Sequence, residues 1–484
     1  MTRQPVTVLV SGNFNILHPG HLRLLRFARE LGDRLLVAVN SDRQGGSSVH
    51  IPEQLRLEGV RSNNWVDEAF LMDEAIEVAI ARLRPDIVVK GKEFESALNP
   101  EQHAVEAYGG RLVFSSGEVA FSSLDLIRKH LDRPDGGLHS IPSEFSRRHG
   151  FVYPDLVEVV RRFTGLRVCV IGDLIVDEYI TCDPLGMSQE DPTIVVTPID
   201  TQQFVGGAGI VAAHAAGMGA DVSLITVAGN DPARAFATSA LEGFGVHARM
   251  LRDDSRPTTL KQRFRAHSKT LLRVSHLHQG SIDKELQRHL FTHAREILSS
   301  CDLLVFSDFN YGVLPQPLVD EIVAFASTRG LVMAADSQCS SQVGDISRFR
   351  GMHLLTPTER EVRVSLKNQE DGLVVVAERL RHRANARNII LKLGSEGVLL
   401  HVADAEGVPR TDRLPALNPA PIDVAGAGDS MLITAGMALA SGSDAWQAAA
   451  LGSIAAGIQV GRLGNLPLNR DEVLRALRPE AHRA

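Results

Sequence analysis

Asp423 to Asp429 (DVAGAGD) place two carboxylates and two glycines ahead of an apolar run of small residues. Gly426 and Gly428 would let the backbone approach a phosphate, and the run predicts a helix whose free N–H groups face that anion. Asp429 could accept the proton of an attacking hydroxyl, which is the task of the base in phosphoryl transfer. A glycine-rich turn that Asp429 merely caps explains the same residues. The segment therefore predicts a phosphoryl-transfer site, with the capped turn as the alternative.

Two histidines lie close together near the N-terminus, in His18-Pro19-Gly20-His21. A β-branched run, Val6 to Val10, predicts a strand before them, and helical spacing follows them. Imidazoles at such a turn could bind the α-phosphate of a nucleotide and stabilise the charge that builds as pyrophosphate leaves. Two ordinary histidines at a helix start, or two metal ligands, are the alternatives.

The composition is typical of a multidomain globular protein: 484 residues, 44% hydrophobic and 23% charged. A net charge of −7 gives no overall attraction to nucleic acid or anionic membranes, so we expect neither as a partner. The four cysteines are scattered, which indicates neither disulfides nor structural zinc. No apolar stretch is long enough for a signal peptide or a membrane span. These features predict a cytoplasmic protein.

Strand and helix patterns alternate along both halves of the chain, which predicts an α/β fold with two doubly wound domains. The first domain is predicted over residues 1–132. Residues 133–153 are predicted to be a linker because prolines and glycines interrupt the periodicity there. The second domain is predicted over residues 154–484. In such folds ligands bind beyond the carboxyl ends of the strands, so the residues there are the candidates for sites.

Several predicted strand ends in the second domain carry polar residues or glycines. Asp173 and Asp177 have a spacing that could bracket the hydroxyls of a polyol, although a turn aspartate and a surface aspartate would look the same. Gly206 and Gly207 open a run of small residues, where the backbone could approach a sugar. Further predicted strands end beside Asp308, Asp336 and Gly394.

Four segments of the first domain resemble, in order, the HxGH nucleotidyltransferase superfamily: GNFNILHPGH from Gly12, VNSD from Val39, DIVVKG from Asp86 and FSSLDLI from Phe121. The closest likeness is to the adenylyltransferase domain of bacterial ADP-heptose synthesis, and it covers about residues 5 to 131. Two features depart from the family. Asn15 stands at a common Asp, and the loop after Asp42 lacks the usual basic residues.

This resemblance implies a nucleotide site with two catalytic histidines. His18 and His21 would contact the triphosphate. The nucleotide would be ATP or CTP, accompanied by Mg²⁺. The rest of its pocket would be formed by Gly12, Asn13, Phe14, Lys90, Ser122 and Ser123.

A second resemblance, to the PfkB or ribokinase-like sugar kinases, covers about residues 166 to 478. The likeness to the heptose 7-phosphate kinase domain extends to SQEDP from Ser188 and VGRLG from Val460. The segments that carry the family resemblance are, in order, Gly172-Asp173, Gly206-Gly207, Thr356-Pro357-Thr358 with Glu361, Lys392-Leu393-Gly394 and Asp423 to Asp429.

The kinase resemblance implies a role for each matched residue. Asp429 would be the catalytic base, and Glu361 would belong to a magnesium-linked network. The nucleotide site would include Lys392, Gly394, Gly426, Ala427 and Gly428, of which the last three form an anion hole. The sugar site would include Asp173, Asp177, Gly206, Gly207 and Asp308.

Five positions depart from the kinase pattern. Ile210 stands at a common Asn and Thr358 at the Asn of an NxxE motif. Ser337-Gln338 replace a usual Pro-Lys, and Ala425 replaces a common Thr. An apolar isoleucine cannot hydrogen-bond a hydroxyl, so the sugar is held differently, is a different sugar, or is not phosphorylated.

The two resemblances together imply a bifunctional enzyme. It would phosphorylate a sugar phosphate at the anomeric hydroxyl and join the sugar 1-phosphate to a nucleotide, giving ADP-heptose or a related ADP-sugar. The order of domains, transferase first, is expected to be the reverse of that in the heptose enzyme, and a homodimer is expected. The alternative is an active nucleotidyltransferase with a degenerate kinase domain that serves binding or regulation. An inactive scaffold would need neither the two histidines nor the loop from Gly426 to Asp429.

Overall fold

The structure is a computed structural model of the chain. It describes residues 5–15, 17, 19–45, 49, 51–91, 99–114, 142–188, 190–191, 193–266, 269–338, 344–403 and 408–478. The chain divides into two compact units, Met1–Asp135 and Gly136–Ala484. His18, Ser122 and Ser123, and residues 133–141 of the predicted linker, lie outside the described residues.

The described part of the N-terminal unit is built on one parallel sheet. Its strands are β1 Thr7–Gly12, β2 Arg34–Asn40, β3 Glu68–Met72, β4 Ile87–Lys90 and β5 Arg111–Phe114. Its described helices are α1 Pro19–Glu30, α2 Asp42–Gly45, α3 Glu53–Arg61, α4 Ile76–Leu83 and α5 Pro100–Glu106. The strand order is β3-β2-β1-β4-β5. The order reverses between β1 and β4, where ligands of such folds bind at the carboxyl ends of the strands.

Strand β1 explains why this unit has helices on both faces of its sheet. Val8 and Val10 point to one face and pack in a cluster with Leu25 of α1. Leu9 points to the other face and packs with Ile80 of α4. A strand that is apolar at consecutive positions must be covered on both sides, so it forms the middle layer of three.

The C-terminal unit contains two sheets. The strands of the larger sheet are β6 Arg167–Gly172, β9 Asp221–Ala228, β10 His247–Arg252, β13 Leu303–Asp308, β14 Val332–Ser337, β15 Leu354–Leu355, β16 Asn388–Lys392, β17 Val398–Ala403 and β18 Pro409–Leu414. Their order is β10-β9-β6-β13-β14-β15-β16-β17-β18. Neighbours are parallel from β10 to β16 and antiparallel from β16 to β18. The smaller sheet contains β7 Leu174–Met187, β8 Ile194–Gly207, β11 Thr259–Ala266 and β12 Lys269–His276.

Helices cover the larger sheet of this unit. They are α6 Ser143–Arg148, α7 Leu156–Arg161, α8 Ala208–Gly217, α9 Pro232–Gly243, α10 Lys284–Leu298, α11 Gln316–Thr328, α12 Glu359–Leu366, α13 Leu373–Ala384, α14 Ala427–Ala440, α15 Ala445–Gln459 and α16 Arg470–Ala476. Helix α14 is apolar on all sides because it is buried over most of its length. Of the helices that the structure describes, none is long and apolar enough to cross a membrane.

Residues 142–153 belong to the C-terminal unit, which corrects their prediction as part of a linker. Phe145 is 1% exposed. The ring of His149 stacks on Trp446, with 3.7 Å between the ring centroids. Arg148 forms an ion pair with Asp412. Prolines and glycines interrupt the sequence periodicity here, but the aromatic side chains still anchor the segment to the core.

Candidate active sites

The start of α14 is the centre of the candidate kinase site. Gly426 precedes the helix with a left-handed backbone (φ 77°), which glycine adopts without strain. Asp429 lies in the first turn and is 6% exposed. Burial raises the pKa of its carboxyl to about 6, against the effect of the Lys392 ammonium. A base that is deprotonated at neutral pH with a pKa close to it suits proton transfer.

Lys392, at the end of β16, brings positive charge to the same helix start. Its Nζ lies 2.6 Å from Oδ2 of Asp336, and a Cβ on Gly428 would lie 3.0 Å from that Nζ. Burial acts to lower the pKa of Lys392, but the carboxylates of Asp336 and Glu361 outweigh it and raise the pKa. The lysine is therefore charged. The predicted anion hole thus combines the N–H groups at the start of the helix with a buried ammonium.

Asp336 is a member of this site that the sequence indicated only as a strand end. Burial raises the pKa of its carboxyl to about 7, against the effect of Lys392. Its Oδ1 is buried and has no hydrogen-bond partner among the described residues. Such an oxygen calls for a ligand or a water molecule. Because Mg²⁺ is often held by one or two carboxylates together with substrate phosphates, Asp336 fits the predicted metal.

Glu361, the predicted magnesium-linked residue, caps α12. Its carboxylate accepts a hydrogen bond from the N–H of Thr358 at 2.7 Å, and Thr358 Oγ1 accepts one from the N–H of Glu361 at 3.3 Å. Its charge contributes to the raised pKa values of Asp336, Lys392 and Asp429, so it lies within their electrostatic reach. Over the described ranges, no group of three or more His, Cys, Asp or Glu residues could hold a metal ion. A metal role for Glu361 therefore stays a prediction.

Asp177, on β7, lies on the sugar side of the candidate site. Its Oδ1 accepts a hydrogen bond from Arg263 and its Oδ2 accepts one from Asn465, each at 3.3 Å. A Cβ on Gly206 would lie 2.5 Å from Oδ2, so the glycine leaves room for this carboxylate. Burial raises the pKa of Asp177, and its charge contributes to the raised pKa of Asp429. The structure thus brings a predicted sugar residue and the predicted base into one site.

Asp173 has a different environment from the predicted one. Its carboxylate is 1% exposed and accepts hydrogen bonds from the backbone N–H groups of Phe309, Tyr311 and Val313, at 2.8 to 3.3 Å. Burial raises its pKa to about 6, and the charge of the nearby Asp308 adds to this shift. Asp173 therefore holds the loop after β13 in place, and its role in binding a sugar together with Asp177 stays a prediction.

The carboxylate of Asp308, another predicted sugar residue, also accepts hydrogen bonds from other groups of the protein. It is 2% exposed. Its Oδ2 accepts hydrogen bonds from Arg348 at 2.8 Å and from the hydroxyl of Ser337 at 2.7 Å, and its Oδ1 accepts one from the N–H of Asn310. These contacts give Asp308 a positioning role, because little of its hydrogen-bonding capacity is left for a sugar.

Two further predicted glycines have left-handed backbones, Gly207 (φ 58°) and Gly394 (φ 63°). A Cβ on Gly207 would collide with the carbonyl oxygen of Asp173, so this position requires glycine. A Cβ on Gly394 would meet no atom within 4 Å. The described residues therefore leave space beside the backbone of Gly394, and its role in binding a nucleotide stays a prediction.

Asn465 connects the two sides of the site, although the sequence does not single it out. Its Nδ2 donates to Asp177, while its Oδ1 is buried and has no hydrogen-bond partner among the described residues. A Cβ on Gly426 would collide with that Oδ1. The sequence feature that could have pointed to Asn465 is the VGRLG segment, which starts at Val460 and ends immediately before Asn465.

In the N-terminal unit, Phe14 and His21 form the described centre of the predicted nucleotide site. Phe14 has a left-handed backbone (φ 49°) and is 3% exposed. Its ring centroid lies 5.0 Å from that of His21, and a Cβ on Gly12 would lie 3.3 Å from the Phe14 ring. Asn13 Oδ1 accepts a hydrogen bond from Nδ2 of Asn40 at 2.6 Å. Residues 12–14 therefore position His21 near the carboxyl ends of β1 and β2.

Arg56 joins two of the motifs in this unit, and sequence reasoning missed it. Its guanidinium group is completely buried. It donates hydrogen bonds to the carbonyl oxygens of Asn13 at 2.6 Å and Asn40 at 2.8 Å, and to the carboxylate of Asp42 at 2.7 Å. Nothing in the sequence distinguishes it from a solvated arginine on helix α3.

Lys90, the predicted pocket lysine of this unit, ends β4 and forms an ion pair. Its Nζ lies 2.8 Å from Oε1 of Glu101. Glu101 is 5% exposed, and its Oε2 has no hydrogen-bond partner among the described residues. The structure thus adds a buried carboxylate beside the lysine at the carboxyl end of the sheet.

Family comparisons agree with this division of the chain. Residues 166–469 match a family described as pfkB family carbohydrate kinase, and residues 9–119 match one described as cytidylyltransferase-like. The transferase-like segment therefore comes first, as predicted. The further prediction that this order is reversed relative to the heptose enzyme is not upheld by these matches and is corrected, because they establish only the order within this chain.

Curated relatives carry the name bifunctional protein HldE. The protein of Desulfatibacillum aliphaticivorans is 31% identical over 319 residues, which cover 65% of this chain and 63% of the relative. That of Shewanella sediminis is 31% identical over 317 residues, covering 65% of this chain and 64% of the relative. The chain thus spans less than two thirds of the length of these relatives.

Solved structures show the fold. Phosphofructokinase-2 from Escherichia coli has a TM-score of 0.54 at 16% identity, covering 64% of this chain and 98% of that chain. Ribokinase from Thermotoga maritima has a TM-score of 0.50 at 22% identity, covering 64% and 99%. Together with the family matches they confirm the predicted fold class, a ribokinase-like domain after a Rossmann-type domain. Since the kinase match alone covers more than half of the residues, this chain belongs to the pfkB family of carbohydrate kinases.

Proposed function

We propose that this chain is a bifunctional transferase. One unit phosphorylates a sugar phosphate at its anomeric hydroxyl, and the other joins the resulting sugar 1-phosphate to a nucleotide. The observation that carries the kinase half is the convergence of Asp177, Lys392 and Asp429 on the start of α14. The cytidylyltransferase-like match and the relatives named as bifunctional support the other half. The product is ADP-heptose or a related ADP-sugar.

In the kinase reaction, a sugar hydroxyl held by Asp177 transfers its proton to the carboxylate of Asp429. The hydroxyl oxygen bonds to the γ-phosphorus of ATP while the bond from that phosphorus to the β,γ-bridging oxygen breaks, and ADP leaves. The N–H groups at the start of α14 and the ammonium of Lys392 stabilise the charge on the transferred group. Mg²⁺, held by Asp336 and the nucleotide, would neutralise further phosphate charge.

In the transferase reaction, a phosphate oxygen of the sugar 1-phosphate bonds to the α-phosphorus of ATP or CTP, and pyrophosphate leaves. His21, with His18 as the predicted second histidine, donates hydrogen bonds to the phosphates. Lys90 offsets phosphate charge at the end of β4. Its pairing with Glu101 orients the ammonium before the nucleotide arrives.

Ile210 favours a second candidate function for the kinase-like unit. Its side chain is fully buried on α8 and offers no hydrogen bond to a sugar. In this alternative the unit binds a sugar or a nucleotide for regulation, and only the nucleotidyltransferase is active.

We further propose a homodimer formed through the smaller sheet of the C-terminal unit. Strands β7 and β8 expose the apolar side chains of Leu185, Met187, Ile194 and Ile199, which are 57 to 68% exposed. Clustered apolar side chains of this size favour burial against a second subunit. Light scattering after size-exclusion chromatography should give twice the mass of the chain, and a monomer at every concentration would contradict the dimer.

The test of the proposed function is product analysis with the full chain, Mg²⁺, ATP or CTP, and a panel of sugar phosphates that includes heptose 7-phosphate and heptose 1-phosphate. Mass spectrometry identifies the products, and a separate phosphatase removes the second phosphate where needed. We expect Asp429→Asn to slow ADP formation from the 7-phosphate by about 10²- to 10⁴-fold while pyrophosphate release from the 1-phosphate continues. His21→Ala should do the opposite. If only the 1-phosphate reacts with the unaltered chain, the second candidate function holds.

A further inference from the structure

An open cavity of about 1020 Å³ lies in the C-terminal unit, at the end of the larger sheet opposite the candidate kinase site. Val332 and Asn388, the first residues of β14 and β16, line it. Asp336 and Lys392 lie at the other ends of the same two strands. Because a strand rises about 3.3 Å per residue, more than about 10 Å separates the cavity from the kinase site. The cavity is therefore a separate location.

The charged groups around this cavity are mainly basic. Arg148, Arg387 and Arg410 line it. Arg148 is paired with Asp412, whereas the side chains of Arg387 and Arg410 form no hydrogen bond or ion pair with any described residue. The carboxylate that lines the cavity, Asp444, is engaged in capping α15. Two guanidinium groups are therefore available to an anion.

Buried polar atoms without partners lie in the same wall. His149 and Ser443 line the cavity, and the Nδ1 of His149 and the Oγ of Ser443 are buried with no hydrogen-bond partner in the part of the chain that the structure describes. The His149 side chain is 6% exposed. Its Nε2 lies 2.7 Å from the carboxylate of Asp412, so Nε2 carries a proton and Nδ1 is left to a ligand or a water molecule.

An aromatic surface adjoins these polar groups. Trp446 is 8% exposed and stacks on His149, with 10° between the ring planes. The guanidinium carbon of Arg410 lies 5.9 Å from the Trp446 ring centroid. Any ligand that contacts Arg410 thus changes the surroundings of the indole ring.

We propose that this cavity binds a small phosphate-bearing molecule, with Arg387 and Arg410 as the phosphate-binding groups and with His149 and Ser443 donating or accepting further hydrogen bonds. Guanidinium groups match phosphate oxygens in charge and geometry. Known small-molecule sites reach about 1000 Å³, so the volume suits a nucleotide or a sugar phosphate. The site contains no residue of either candidate active site, so it does not depend on the proposed reactions.

The test uses the indole ring of Trp446, which is one of two tryptophans in the chain. In the full chain carrying Trp65→Phe, its emission is followed during titration with inorganic phosphate, a sugar 1-phosphate, ADP and, as the uncharged probe, adenosine. Calorimetry measures the same affinities. We expect a saturable change with at least one phosphate-bearing probe. In the double variant Arg387→Gln, Arg410→Gln, the affinity for that probe should fall by about tenfold or more, because hydrogen bonds to charged groups contribute about 1.5–3 kcal/mol.

Both arginines are exposed, so the double variant should keep the thermal unfolding midpoint of the unaltered chain. The matched control is Arg249→Gln, an exposed arginine on β10 at the opposite edge of the sheet, and its affinity should be unchanged. The probe that binds most tightly identifies the source of the phosphate. The proposal is overturned if no phosphate-bearing probe changes the emission, if adenosine binds as tightly as ADP, or if the double variant binds as tightly as the control.

Discussion

The side-chain amide of Asn465 donates a hydrogen bond to the carboxylate of Asp177, with 3.3 Å between Nδ2 and Oδ2. The Oδ1 of the same amide packs against Gly426, where a Cβ would collide with it. Asn465 therefore sets the separation between the proposed sugar residue and the loop that carries Asp429. We therefore expect the alignment of hydroxyl, base and phosphate in the proposed kinase reaction to depend on this amide, which lies outside the matched motifs.

We expect Asn465→Ala to raise the KM for the sugar phosphate about tenfold or more, because a hydrogen bond to a charged group contributes about 1.5–3 kcal/mol. It should also lower kcat, because Asp177 would move relative to Asp429. Steady-state kinetics with the preferred sugar phosphate measures both constants. The matched control is Asn418→Ala, which removes another buried amide that donates to the carbonyl of Gly457 at 3.0 Å. Equal KM values for the two variants would contradict the role of Asn465.

The rate of the kinase reaction should follow the ionisation of Asp429. Since the pKa of this carboxyl is raised to about 6, the rate should fall as the pH drops below about 6, where the protonated acid can no longer accept a proton. Asp429→Asn should lower kcat by about 10²- to 10⁴-fold, the usual contribution of a general base. Pyrophosphate release from the sugar 1-phosphate is the internal control. A kinase rate that stays constant down to pH 5 would rule out this assignment.

The same carboxyl should limit the stability of the C-terminal unit. A carboxyl whose pKa is raised on folding stabilises the fold below its unfolded pKa of 3.8, and this contribution is lost as the pH rises through about 6. The full loss corresponds to about 3 kcal/mol. Asp429→Asn should therefore match the unaltered chain near pH 4 and exceed it in stability above pH 6. Denaturation followed by Trp446 fluorescence measures this difference, and the exposed Asp254→Asn should show none.

Arg56 should be essential to the N-terminal unit and irrelevant to the kinase reaction. Removing one partner of a buried ionic network costs about 3–5 kcal/mol, so Arg56→Met should destabilise that unit by this amount. Trp65, which packs in the core of the same unit, reports its unfolding. The control is Arg43→Met, whose ion pair with Asp73 involves a side chain that is 78% exposed and should contribute less than about 1 kcal/mol. Loss of kinase activity in Arg56→Met would contradict the independence of the two reactions.

The features that sequence reasoning identified correctly are local ones. One such feature is the apolar run of a buried parallel strand, as in Val8 to Val10. Another is a glycine immediately before the start of a helix, as Gly426 precedes α14. These patterns predicted the two α/β units and the glycine that precedes α14. The linker prediction was wrong for residues 142–153, because packing of Phe145 and His149 against Trp446 involves residues about 300 positions away.

The sequence by itself determined the fold class, the order of the two units and the helix that follows Gly426, because each follows from neighbouring residue types. Only the tertiary structure decided which protein groups each aspartate carboxylate contacts. Asp173 is held by the backbone amides after β13, and Asp308 is held mainly by Arg348. Asp177 contacts Asn465, and Asp336 contacts Lys392. Most of these partners lie more than 25 residues away from the aspartate in the sequence. A carboxylate binds whichever donors the folded chain places around it. Those donors come from distant strands and loops, so no local pattern could assign the roles of these four aspartates.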